Sequence, residues 1–392
     1  MKKYIRKKKP AYWNSIYGIL KKNNHNCDPL NDDKSKGVPF HKACIAELQA
    51  AFKVGLKVNS GEESDLCPAV RMGYSPEVIK FLIDSGCDVN GEDWYDYRPM
   101  AWLLQYDYFL YHYDRDIHEV EEIAQMLIEA GADLTAYPHL GMDFKPFLHQ
   151  ASIYFSAKLV QMFLDAGVDV NEKSDDGLQA LHYAAYAGNT EVIRLLVSRG
   201  ADLYHIGTDP FDSERYTPFF NAVDNNSLEA LELLMELGVD IDWQDDNGRT
   251  ALIYAASYPD CTEAFNWLLK NGADTKLRTL EGKTPLHCAA QVNHHRAIYH
   301  LLKRGEKMDE QDTDGNTPLH IAAKYGRLAV TRLLLRAGAD VQKLNGEGKT
   351  ALDLAIEGKS NDPCTLYEWS NHDISTKGEH TKVIQLLKSI EP

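Results

Sequence analysis

Thr317-Pro-Leu-His-Ile-Ala-Ala323 stands 33 residues after Thr284-Pro-Leu-His-Cys-Ala-Ala290, and looser versions occur at Ala180-Leu-His-Tyr-Ala-Ala185, Thr250-Ala-Leu-Ile-Tyr-Ala-Ala256 and Thr350-Ala-Leu-Asp-Leu-Ala355. Each residue type has a physical use at the start of a helix. Threonine accepts from the first free amides, and proline suits the first turn because its missing N–H has no helical partner there. Paired alanines let two helices approach closely.

A second signal keeps step with the first. Gly-Ala/Val/Cys-Asp begins at Gly86, Gly131, Gly167, Gly200, Gly238, Gly272 and Gly338, and Gly305-Glu306-Lys307 fills the gap. From Gly238 the intervals are 34, 33 and 33 residues, and the earlier ones of 45, 36, 33 and 38 are the same period with insertions. Between the two signals runs an apolar stripe of helical spacing, as in Glu191-Val-Ile-Arg-Leu-Leu-Val197. It stops at Gly200, where no Cβ opposes a left-handed C-cap. Asp245-Asp-Asn-Gly248 and Asp312-Thr-Asp-Gly315 then make tight turns.

In period and motif the chain resembles the ankyrin-repeat family. The resemblance implies an all-α solenoid of stacked helix-turn-helix units with protruding hairpin fingers. About ten units are expected across residues 36–390: 36–59, 60–90, 91–135, 136–171, 172–203, 204–242, 243–275, 276–309, 310–342 and 343–390. The first reads as a shortened capping repeat, and Lys382-Val-Ile-Gln-Leu-Leu387 as the last helix of the opposite cap. Residues 1–35 form a basic leading segment, expected to be partly disordered or a helical cap. Insertions interrupt the repeats at 93–116, 205–215 and 358–377, the last two loop-like in composition.

The bulk numbers agree with such a chain. At 392 residues it exceeds the size of one compact core, and no run of eighteen apolar residues suggests a membrane span. The basic start is followed by too short an apolar stretch, broken by Asn14 and Ser15, for a secretory signal. Seven cysteines, an odd number without a C-x-x-C pair, point to a reducing, cytoplasmic compartment. Net charge is −16, and six of the 42 basic residues lie in the first ten, which leaves the rest near −22. An acidic body repels nucleic acid and anionic membrane and attracts a basic protein over a Debye length of roughly 8 Å.

In ankyrin proteins the partner usually meets a concave face of finger tips and first helices, and the matching positions here are aromatic and acidic. The variable slot of the motif holds Trp102, Tyr183 and Tyr254, among others, and the slots after Ala-Ala hold Tyr106, Tyr186, Tyr258 and Tyr325. The fingers supply Trp243, Asp176, Asp245, Asp246, Glu281, Asp312 and Asp314, with turn geometry accounting for about half of these acids. The insertion at 93–116 adds Trp94, Tyr95, Tyr97 and Tyr108. Stiff aromatic rings favour binding hot spots, and the slot is normally exposed and needs no large ring. The alternative is that these rings cover a widened gap between repeats.

No nucleophile elbow, phosphate loop, dinucleotide fingerprint or His-Glu-x-x-His helix is present. His149, His182, His287 and His320 hold the motif's own histidine position, where an imidazole ties its helix to the next finger. Neither His294-His295 with His300 nor His112 to His118 has metal-ligand spacing. No catalytic residue, metal, cofactor or small-molecule substrate is implied. The expected function is a non-enzymatic protein-binding scaffold for a basic or mixed-charge protein. A stand-alone chain with irregular insertions suits a bacterial toxin-neutralising immunity protein or a host-directed effector or adaptor. The rival class is an enzyme with its site in an insertion, or a nucleic-acid binder using the basic head.

Overall fold

The computed structural model describes residues 37–53, 57, 64–93, 97–104, 116–135, 145–154, 156–208, 215–360 and 379–390. They form two compact units, one reaching to Ala184 and including Glu191–Asp202, the other comprising Ala185–Thr190 and Leu203 onward.

The first unit opens with α1 (Gly37–Lys53), which lies within the span 36–59 expected for the shortened repeat. There follow α2 (Leu66–Arg71), α3 (Pro76–Asp84), α4 (Pro99–Leu104), α5 (Ile117–Glu129), α6 (Phe147–Tyr154) and α7 (Ala157–Asp165). The helices α8 (Ala180–Ala187) and α9 (Thr190–Ser198) come next. In the second unit the order is β1 (Gly207–Thr208), β2 (Arg215–Tyr216), α10 (Pro218–Asp224), α11 (Leu228–Glu236), α12 (Ala251–Ser257), α13 (Thr262–Lys270), α14 (Pro285–Gln291), α15 (His295–Lys303), α16 (Pro318–Lys324), α17 (Leu328–Ala337), α18 (Ala351–Ser360) and α19 (His380–Lys388). Every expected unit after the first thus holds two helices in sequence.

Each unit is two helical layers. In the second, the first helices α10, α12, α14, α16 and α18 pack one on the next, and so do the second helices α11, α13, α15, α17 and α19. The paired alanines make the first layer tight: Ala255, Ala256, Ala289, Ala290, Ala322 and Ala323 are fully buried. Between the layers lie Phe265, Leu268, Ile298, Leu301 and Leu334, each of which adds about 1.5–3 kcal/mol on burial.

Local chemistry sets the ends of these helices. The Thr317 hydroxyl accepts from the His320 amide at 3.4 Å, while His320 Nδ1 accepts from the Thr317 amide at 3.2 Å, a reciprocal cap repeated by Thr284 and His287. In several repeats the turn between the two helices carries a left-handed residue. Gly188 and Gly326 provide it, but Asn226 (φ 52°) and Asn293 (φ 62°) take the same place in their repeats. The insertion at 205–215 is closed at its base as an antiparallel hairpin, Gly207 opposite Tyr216 and Thr208 opposite Arg215. These short strands correct the purely loop-like reading of that segment.

Polar side chains stitch repeat to repeat. At the helix turn, Ser227 Oγ donates to the Tyr186 carbonyl at 2.8 Å and Arg327 Nε to the Gln291 carbonyl at 2.8 Å, while His294 Nδ1 lies 3.3 Å from the Ala256 carbonyl. After the second helix, Asn171, Tyr204, Asp242 and Asp309 accept from the backbone amides of Asp202, Asp240, Asp274 and Asp340, one repeat on. The contacts at the helix turn satisfy carbonyls that helix ends leave open.

Candidate protein-binding surface

The fingers of the second unit form a hydrogen-bonded row. The Leu280 amide donates to the Asn247 carbonyl at 2.8 Å, Thr313 to Glu281 at 3.0 Å, and Gly346 to Asp314 at 2.8 Å. A second rail runs beside it. Gln244 donates to the carbonyls of Gly248 and Arg278, and Gln311 to those of Gly315 and Leu344, so each side chain bridges its own finger to the next.

Within each finger the first residue is consumed by the turn. Asp245 Oδ1 accepts from the amides of Asn247 and Arg249, and its Oδ2 from Arg249 Nε at 2.8 Å. Asp312 likewise accepts from the amides of Asp314 and Asn316. Asp245 is therefore buried, which corrects its placement among exposed contact residues. The acids one or two positions on, Asp246, Glu281, Asp314 and Glu347, are exposed, and Asp176 is half-buried. Between them stand two bare leucines, Leu280 (73 % exposed) and Leu344 (53 %). The sequence reading passed over both, although an apolar residue in a turn of Asp, Gly and Thr was the available signal.

The slot tyrosines behave differently from the expectation. Tyr254 is 2 % exposed and Tyr183 8 %, so the slot is filled from within the fold and neither ring is a free contact surface. Tyr254 stacks on Phe220 at 5.5 Å and against Tyr258 at 4.6 Å, and its hydroxyl donates to Asp224 Oδ1 at 2.9 Å. The Tyr183 hydroxyl reaches Ser174 at 3.2 Å and Asp176 at 3.4 Å in its own finger, with His149 edge-on to the ring and Lys145 over it. A long ring pays in packing only if it reaches a neighbouring element, and both do.

Trp243 is explained by a missing histidine. Phe220 stands where the motif has His, and the Trp243 ring of the next finger packs edge-on to it at 6.1 Å and lies 6.0 Å from the Tyr204 ring. An aromatic contact thus replaces the His-to-finger hydrogen bond, and Trp243 is half-buried. In the first unit Trp102 Nε1 donates to Asp93 Oδ2 at 2.8 Å, its ring lies 4.8 Å from Tyr97, and the Arg71 guanidinium sits over it at 5.2 Å. Tyr97 and Trp102 are half-buried and Tyr186 is exposed. Trp94, Tyr95, Tyr106 and Tyr108 lie outside the described residues.

The motif histidines are fully buried. His149 Nε2 lies 3.0 Å from the Leu178 carbonyl, His287 Nε2 3.1 Å from Glu310 and 3.2 Å from Asn316, and His320 Nε2 3.1 Å from Lys349, each carbonyl in the next finger or leading into it. Burial pushes the imidazoles of His149 and His287 down to about 4. Among the described residues no group of three or more His, Cys, Asp or Glu is placed to hold a metal, and no helix is long and apolar enough to cross a membrane. His294 is buried while His295 is exposed, and Asp116 caps α5 through the His118 amide; His112 and Asp114 lie outside the described residues.

Comparison with known proteins agrees with this architecture. The family model for ankyrin repeats (three copies) matches residues 148–245, 203–279, 219–312, 260–345 and 286–377. The chain is 32 % identical over 175 residues to the B-cell lymphoma 3 protein homolog of Mus musculus, covering 43 % of this chain and 37 % of that one. It is 33 % identical over 178 residues to the nuclear factor NF-kappa-B p105 subunit of Gallus gallus, covering 44 % and 18 %. The match therefore spans less than two fifths of either relative's length. The human ASB11 ankyrin repeat domain, at 24 % identity, covers 62 % of this chain and 98 % of its own with a TM-score of 0.47. With overlapping matches from residue 148 to 377, the chain belongs to the ankyrin-repeat family.

Proposed function

We propose that this interaction scaffold captures a partner protein of basic or mixed charge on the finger row of its second unit. The observation that carries the reading is the pairing of four exposed finger acids, Asp246, Glu281, Asp314 and Glu347, with the exposed leucines 280 and 344, on turns already fixed to one another. A prearranged row loses little entropy on binding. Acids give attraction and orientation, and leucines give apolar area to bury.

Such a role serves a toxin-neutralising immunity protein and a host-directed effector equally, and both would use this row. A reducing, cytoplasmic setting is supported by Cys67, Cys87, Cys261 and Cys288, which are buried and form no disulfide among the described residues. Burial holds the Cys87 and Cys261 thiols up at about 12, so they stay protonated and inert.

The test is affinity capture from native lysate with quantitative mass spectrometry, comparing wild type with Asp246→Lys/Glu281→Lys/Asp314→Lys. Basic partners are expected to fall in recovery by about tenfold, with the wild-type complex sensitive to salt. Equal recovery by the variant defeats the finger-row reading.

A further inference from the structure

The second helices of the second unit change charge along the stack. Their buried residues fix which positions correspond: Ala230, Ala264, Ala297, Val330 and Val383 face inward at the same place in α11, α13, α15, α17 and α19. One residue before that point the exposed side chains are Glu229, Glu263, Arg296, Ala329 and Lys382. Two after it they are Glu232, Asn266, Tyr299, Arg332 and Gln385, and six after it Glu236, Lys270, Lys303, Arg336 and Ser389. The outer layer therefore begins acidic at α11, is mixed at α13, and is basic from α15 onward. None of α15, α17 and α19 contains an Asp or Glu.

Only some of these cations are neutralised by the fold. Lys382 pairs with Glu379 and Lys307 with Glu310, and Arg304 donates to the Leu269 carbonyl at 2.8 Å. Arg296, Lys303, Arg332, Arg336 and Lys388 are exposed and make no ion pair among the described residues. In a chain of net charge −16 this is a local inversion of sign. Tyr299, 54 % exposed, stands in its midst. Arginine and tyrosine are the side chains that most often dominate binding energy, because each offers a stiff planar surface together with a polar group.

The extent of the patch selects its partner. Three adjacent helices at roughly 10 Å spacing give a face about 20 Å wide, and Arg296 to Lys303 is two helical turns, about 11 Å. Beyond it on one side lie Glu263 and then Glu229, Glu232 and Glu236. A duplex or a membrane plane, anionic over a much larger extent, would be brought against those acids within about a Debye length. A short acidic segment is not. We propose that the outer face of α15, α17 and α19 is a docking surface for a short Asp/Glu-rich segment of a partner protein. It is a second surface, opposite in charge preference to the finger row and independent of it.

The experiment is fluorescence anisotropy with the full chain and a fluorescein-labelled poly-glutamate peptide of roughly a dozen residues. Saturable binding is expected, weakened about tenfold or more by Arg296→Glu/Arg332→Glu/Arg336→Glu, and less by the corresponding triple Gln variant, which keeps the test open if the reversed chain folds poorly. The finger variant Asp246→Lys/Glu281→Lys/Asp314→Lys retains this binding, which separates the two surfaces. Absence of saturable binding, equal binding by both arginine variants, or tighter binding of a poly-thymidine oligonucleotide or of phosphatidylserine vesicles overturns the proposal.

Discussion

The hydroxyl of Tyr254 donates to Asp224 Oδ1 at 2.9 Å, joining the first helix of one repeat to the end of the first helix before it. The ring below that bond is closed in by Phe220 and Tyr258. Tyr254→Phe removes the bond and keeps the ring, so a loss of about 1 kcal/mol is expected, whereas Tyr254→Ala empties the site and costs about 3–5 kcal/mol. Tyr186→Ala, at an exposed ring, stays within about 0.5 kcal/mol. Urea unfolding of the three variants decides the order.

Acid should loosen the molecule in a defined window. His149 and His287 titrate near 4 in the fold because burial disfavours the imidazolium, but at 6.5 when unfolded. Below 6.5 the unfolded chain therefore takes up protons that the folded one refuses. Stability is full above about pH 7 and falls as pH drops from 6.5 to 4, by on the order of 3 kcal/mol for each histidine. Asp133, held below the ordinary carboxylate range by the Thr135 hydroxyl and amide and by Arg98, contributes its own loss only at lower pH, as its carboxylate is protonated. Urea midpoints between pH 8 and pH 4.5 report the histidine part. A flat profile would contradict it.

Two glycines of similar backbone conformation should respond unequally to alanine. Gly315 (φ 75°) lies under the next finger, and an added Cβ would run into the Gly346 amide nitrogen, whereas at Gly338 (φ 97°) it would meet nothing. Gly338→Ala is expected to cost about 1 kcal/mol of left-handed strain, and Gly315→Ala about 2–4 kcal/mol because the finger row must also part. Thermal unfolding of the pair distinguishes them.

Asn226 and Asn293 share a left-handed turn position but not its chemistry. Asn226 donates to the Asp260 carbonyl at 2.8 Å and accepts from the Ala264 amide at 2.9 Å, so Asn226→Gly loses about 1–2 kcal/mol. Asn293 Oδ1 is buried and has no hydrogen-bond partner among the described residues, and Asn293→Gly is expected to be neutral or stabilising by up to about 1 kcal/mol. Chemical denaturation of both variants tests the difference in sign.

Leu280 separates binding from stability. At 73 % exposure it has little to lose in folding, and Leu280→Ala is expected to stay within about 0.5 kcal/mol of wild type. In the capture assay the same change should lower recovery of the finger-row partner several-fold. Unchanged recovery removes Leu280 from the binding surface.

The sequence alone determined the repeat, its period and the role of its histidines, because those depend on short-range chemistry. A Thr-Pro start, a motif His, paired alanines and a left-handed glycine act within a few residues of one another, and the spacing of Gly238, Gly272, Gly305 and Gly338 shows the period directly. Even the insertion at 205–215 was legible as a loop-like interruption of the repeat. Its hairpin base was not, since Gly207 and Tyr216 pair across residues whose composition reads as turn.

Which side chains remain available to a partner was decided only by the tertiary structure. Tyr183, Trp243 and Tyr254 occupy positions open in the pattern, but their rings reach Ser174, Phe220 and Asp224 and are used up in holding fingers and helices together. Asp245 and Asp246 are neighbours of identical chemistry, yet one is buried in its turn and the other faces solvent. The basic outer face is likewise divided along the chain, where Glu306, Asp309, Glu310, Asp312 and Asp314 stand between Arg296 and the pair Arg332 and Arg336. Stacking α15 on α17 brings them side by side, because exposure and charge density belong to neighbours in space.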